Sequence, residues 1–222
     1  VTPEFAICNQ SSLDYMAFMF AVEASRLQLL DFCDDWRIPP QTVAPYADVT
    51  QLPVDATWLG FILDKLDEPG AAAYHTAVGD RPVLRMLAAY MPGDLGHEIL
   101  ETVIDATCDR WIPIGDGTEM AAECVDPVQG DYYTIQVKLF GETRPVEVPD
   151  YVLPPYWDRS QSGPTRKMEA LGLRAHLEPF TIAPGGYAVI LGRDGNEREV
   201  YGQIPGRKLT RPDSRLMRRL AR

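Results

Sequence analysis

The stretch LDYMAFMFAVEASRLQLLDFCDDW, Leu13 to Trp36, runs 24 residues without a glycine or proline and is followed closely by Pro39–Pro40. Leu13, Met16, Phe20, Leu27, Leu30 and Phe32 recur at roughly helical spacing, and Ser11 or Ser12 can cap the first turn. The proline pair forbids further turns, so the spacing predicts one long helix near the N-terminus. Before it, FAICNQ reads as a short strand, and after it TWLGFILD reads as a buried one. A turn is expected at Asp-Glu-Pro-Gly, residues 67–70. AAAYHTAV and RPVLRMLAAY give two more strands around a Gly79–Asp80 turn. Pro92 and Gly93 then lead into a second helix, with Asp94 as its expected cap.

Beyond Trp111 the pattern changes to short strands and turns: TEMAAECV, DYYTIQVKLF, TRPVEVP, a proline-rich DYVLPPYW and a last hairpin at FTIAPGGYAVILG. A strand, a helix, several strands, one helix and a strand-rich half make an α+β chain. With 222 residues it can bury a sizeable core, and 45% hydrophobic with 24% charged residues is an ordinary globular balance. No apolar run approaches the roughly 20 residues that span a bilayer, and the N-terminus carries no signal-peptide pattern. The expectation is a soluble protein without a membrane partner. Cys8, Cys33, Cys108 and Cys124 are scattered and read as small buried hydrophobes in a reducing compartment.

A net charge of -11 argues against nucleic acid as a partner. The ending differs: RKLTRPDSRLMRRLAR, residues 207–222, has seven basic residues against Asp213 alone. It reads either as a tail that docks on an acidic surface, such as a neighbouring subunit, or as a solvated terminus.

The second helix holds the chemistry. In GDLGHEILETVID, Gly93 to Asp105, His97 and Glu101 are one helical turn apart and can present ligand atoms to the same point. A zinc-protease helix has His-Glu-x-x-His, and here Glu101 stands in place of the second histidine. Glu98 lies about 100 degrees around the helix, where such proteases hold the residue that bonds the metal-bound water. A third ligand must come from elsewhere. Glu123, in AAECVDP, follows Glu101 by a stretch comparable to that before the glutamate ligand of thermolysin-like zincins. Asp105, two turns beyond His97, competes with it or orients another ligand. The motif alone leaves open an amphipathic helix whose Glu98 and Glu101 face water or pair with Arg110. His75, next to Tyr74 on a strand, reads as a hydrogen-bonded structural histidine or as a catalytic group. His176 reads as a surface or packing residue, and Pro154–Pro155, Tyr156 and Trp157 close the C-terminal core.

Across nearly its whole length the chain resembles a little-characterised family of zincin-like proteins found in bacterial, prophage and phage genomes. The resemblance is carried, in order, by Ile7-Cys8-Asn9-Gln10-Ser11, WLGFILD, Tyr74-His75, GHEILETVID, ECVDP and DYVLPPYW. Gly96 before His97, Ala106 after Asp105 and the inserted Val125 depart from the family pattern. The family itself carries glutamate at the second ligand position, which makes Glu101 less of a private lesion.

The resemblance implies a zincin-like fold: a mixed sheet with a long N-terminal helix and a metal-site helix, then a strand-rich irregular C-terminal half. Residues 1–206 would form a single domain, with lobes at about 1–108 and about 109–206, and residues 207–222 a basic tail. The implied metal ligands are His97, Glu101 and Glu123, with Asp105 as the competing residue, holding Zn, or Mn or Ca because the set is rich in oxygen. The implied activity is a weak or specialised metallopeptidase acting on a peptide or protein. Glu98 would be the general base, and Tyr132, Tyr133 or His75 would stabilise the oxyanion. Carboxylates at Glu101 and Glu123 cancel the formal dication and weaken water activation. The alternative is an inactive structural or assembly protein, a phage virion component that keeps the fold and meets neighbouring subunits through its tail. The corresponding location is cytoplasmic or in a virion.

Overall fold

The computed structural model describes residues 4–67, 72–78, 81–91 and 93–203. The chain is α+β and divides into two compact units, residues 1–107 with 134–148 and residues 108–133 with 149–222. The basic tail 207–222 and the Gly79–Asp80 turn lie outside the described residues, as does most of the turn expected at 67–70.

The first unit is built on a five-stranded sheet. Its first strand, β1 (Phe5–Asn9), has the sequence FAICN and buries four of its five residues. A strand with no solvent face belongs inside a sheet. It is preceded in importance only by its crossover: α1 (Tyr15–Trp36) supplies the long connection that a parallel pair requires, and β1 pairs in parallel with β2 (Val43–Tyr46). On its other side β1 pairs in parallel with β3 (Trp58–Leu63). β4 (Ala73–Val78) and β5 (Arg81–Leu87) pair antiparallel, β5 joins β3 in parallel, and the order is β2-β1-β3-β5-β4. β4 is therefore the one antiparallel strand and lies at the sheet edge. β2 is not evident in the sequence because VAPY carries Pro45, which an edge strand tolerates.

Two expectations about α1 are corrected. Its cap is Asp14, whose carboxylate accepts from the Ala17 N–H at 3.0 Å. Ser11 is instead bonded to Asn9, and Ser12 to Asp64. The buried face includes Phe18, Ala21, Val22, Ser25, Leu29 and Phe32, whereas Leu30 is exposed and Met16 and Leu27 are half-buried. A helix apolar around much of its circumference does not reveal by spacing which side turns inward. It ends, as expected, before the prolines, with Arg37 in the left-handed region at φ 53.

α2 (Gly93–Ile104) packs against α1, β4 and β5. Asp94, the expected cap, lies within its first turn. Leu95, Ile99 and Leu100 are fully buried in the first unit's core with Phe5, Ile7 and Leu84.

In the second unit β6 (Trp111–Gly115) and β7 (Thr118–Ala121) form an antiparallel pair, so the expected TEMAAECV strand is shorter than predicted and has a partner unseen in the sequence. β8 (Tyr132–Leu139) and β9 (Glu142–Pro149), expected as separate short strands, pair as a two-stranded ribbon. Its residues 134–148 belong to the first unit, where the Arg144 guanidinium lies 4.5 Å from the centre of the Phe20 ring. After the short α3 (Lys167–Ala170) come β10 (Tyr187–Leu191) and β11 (Glu197–Tyr201), completing a sheet of order β11-β10-β7-β6. The hairpin expected within FTIAPGGYAVILG is corrected accordingly: YAVIL pairs with β11 and β7, and the residues before it form turns. Gly186 is needed at the entry to β10, since a Cβ there would come within 2.3 Å of the Pro127 carbonyl oxygen. Tyr156 closes this core, donating to the Thr181 carbonyl at 2.6 Å and meeting Trp157 edge-on. Among the described residues no helix is long and apolar enough to cross a membrane.

An ionic cluster around the buried Arg166 and Asp150 ties loops of the second unit together. Arg166 donates to Asp150 at 2.5 Å and to Asp131, and Asp131 also accepts from Arg174 at 2.7 Å. Burial raises the pKa of the Asp131 carboxyl, but the hydrogen bonds from Arg166 and Arg174 outweigh it and hold the group below its ordinary value. Burial dominates at Asp150, whose pKa is raised despite Arg166. A depressed pKa contributes stability that is present above the unfolded value, about 3.9 for Asp, and lost as pH falls through the folded value. Urea denaturation of Asp131→Asn is therefore expected to show a shallower fall in stability below about pH 4 than the parent chain. Equal acid-side slopes would contradict this.

Candidate metal centre

α2 carries its acidic residues inward. Glu98 is 2% exposed and Glu101 fully buried, among Leu95, Ile99 and Leu100 of the same helix. This overturns the reading in which the two glutamates face water. His97 and Glu101 lie side by side as their i, i+4 spacing requires, with Nε2 and Oε2 3.1 Å apart.

The residue that meets Glu98 comes from the sheet edge. His75 is in the middle of β4, fully buried, and its Nδ1 lies 3.0 Å from Glu98 Oε2. Its Nε2 lies 3.1 Å from the carbonyl oxygen of Asp105, just past the end of α2. A carbonyl only accepts, so Nε2 carries the hydrogen and donates it. Nδ1 then faces the Glu98 carboxyl, and a single proton held between Nδ1 and Oε2 makes that hydrogen bond. Tyr74, its neighbour on the opposite face of the strand, donates to Asp67 beside Arg85. Burial, followed by the hydrogen bond to Asp67, raises the Tyr74 pKa.

Ligand atoms of His75, Glu98 and Glu101 all lie within 4.8 Å of one another. An imidazole whose second N–H is held by a backbone carbonyl is oriented as metal-bound histidines are. Two buried carboxylates in one place also call for positive charge. The donor set therefore fits a divalent cation, with Zn and Mn both compatible with nitrogen and carboxylate ligands.

The structure distributes the other expected residues as follows. Asp105 is buried, and its N–H bonds to the Glu101 carbonyl while its own carbonyl orients His75. Glu123, Tyr132 and Tyr133 belong to the second unit, where Glu123 and Tyr133 are buried and Tyr132 is 40% exposed. His176 is also there, half-exposed, with Nδ1 2.9 Å from Glu169 Oε1. All four cysteines are buried, and none is in a disulfide. The sequence reading missed the contact of His75 with Glu98. The two are 23 residues apart on different elements, and only the placement of β4 beside α2 brings them together.

Comparisons with known protein families, with curated proteins and with solved structures give no match.

Removing the imidazole takes a donor from the Asp105 carbonyl and a partner from the Glu98 carboxylate, both inside the core. His75→Ala is expected to cost about 3 kcal/mol of stability in metal-free buffer, read by urea denaturation. A loss below about 1 kcal/mol would mean that the pairing has little weight.

Proposed function

We propose that the protein is a zincin-like metal-binding protein that holds a divalent cation on α2 and has little or no peptidase activity. The observation that carries the reading is the convergence of buried imidazole and carboxylate groups on Glu101: His75 and Glu98 lie within ligand reach of it, and His97 lies against it. A mixed sheet, a long N-terminal helix and a helix bearing His-Glu-x-x-Glu are the parts that such a fold requires, and they support it.

Low activity follows from two features of the residues themselves. Glu98, which a peptidase would use as its base, is buried and hydrogen-bonded to His75, so it is not poised to accept a proton from a substrate-side water. A ligand set rich in carboxylate also neutralises the ion's charge and leaves less of it to acidify water. When bound, the cation would supply positive charge to the buried glutamates and thereby stabilise the fold.

The test is metal content of the untagged chain by elemental mass spectrometry, with Glu101→Ala alongside. About one equivalent is expected in the parent chain and a large loss in the variant. At a free-ion concentration 100-fold above Kd, binding would add about 2.7 kcal/mol to the parent's stability. Absence of metal from the parent chain, after supplementation with Zn and Mn, would contradict the reading. Efficient peptide cleavage abolished by Glu98→Gln would contradict the assignment of low activity.

A further inference from the structure

We infer that the cation is held by His75 Nδ1, Glu98 and Glu101, making Glu98 a metal ligand where the sequence pattern would make it a general base. The assignment presupposes the metal reading above and deepens it by naming the ligands. It differs from the set expected from the sequence, in which His97 provides the imidazole.

Three observations carry the assignment of His75. Ligand atoms about 2.1 Å from an ion stand roughly 3–4 Å apart, and the 3.0 Å separation of His75 Nδ1 from Glu98 Oε2 is already near that spacing. The Asp105 carbonyl fixes the hydrogen on Nε2, which leaves Nδ1 as the coordinating nitrogen and gives the ring the outer hydrogen bond that raises ligand basicity. Finally, charge balances. Neutral imidazole, two carboxylates and a divalent cation sum to zero in a place where all three side chains are buried.

The consequence is mechanical as well as chemical. Among the described residues β4 is hydrogen-bonded within the sheet to β5 alone, so the ion would join a sheet-edge strand to α2. A Glu98 oxygen bound to the cation would serve as a ligand in place of the role of base that the sequence pattern gives it. The site is thus a clamp for Zn2+ or Mn2+ between β4 and α2.

Two measurements on the full untagged chain test this. The chain has three histidines, so their ring nitrogens can be assigned by 15N NMR and followed during a Zn2+ titration. The expected result is a metal-induced shift at His75 Nδ1 with its Nε2–H retained. A shift confined to His97, with zinc retained by the protein, would overturn the assignment and leave the metal reading standing. No retained zinc and no shift at any histidine would overturn both. In the second measurement, the near-isosteric Glu98→Gln is expected to lower Zn2+ affinity at least about tenfold, because it removes a charged ligand. Affinity within about threefold of the parent would show that Glu98 is not a ligand and overturn the assignment.

Discussion

The His75 imidazole is bonded through both ring nitrogens to one helix, and the inner arrangement of the first unit depends on that tie. One nitrogen reaches the Glu98 carboxylate from the helix interior, and the other reaches the Asp105 carbonyl at its end. The strand carrying the ring lies at the sheet edge and, among the described residues, has only β5 as a ladder partner. A neutral apolar contact would hold that strand too, but it would not give the buried Glu98 carboxyl this hydrogen bond. The same residue therefore answers a packing need and an electrostatic one.

From this tie the chemical character of the site follows. A metallohydrolase needs an ion with residual charge and a base facing its water. Here the carboxylates are turned into the core with the imidazole, and the base position is occupied by a group already bonded to protein. Those features suit retention of a cation better than activation of water.

Much of the framework was legible in the sequence because it rests on local signals. The proline pair ends α1, the apolar run FAICN makes an inner strand, and the four-residue spacing of His97 and Glu101 places them together on α2. Less was legible where several solutions are equally local. Asp14 won the cap over Ser11 and Ser12 because those serines are held by Asn9 and Asp64. The inward face of α1 could not be read from a segment apolar nearly all round. The pairing of His75 with Glu98 had no local signal, since it arises only when an antiparallel edge strand is laid beside the second helix. Asp105 meets His75 through its backbone carbonyl, a contact that side-chain identity does not signal.

The most direct test of the central claim is anomalous diffraction at the zinc edge from crystals of the zinc-loaded chain. The account predicts a single strong peak within coordination distance of His75 Nδ1, Glu98 and Glu101. A zinc peak elsewhere on the chain, or none at saturating zinc, would contradict it.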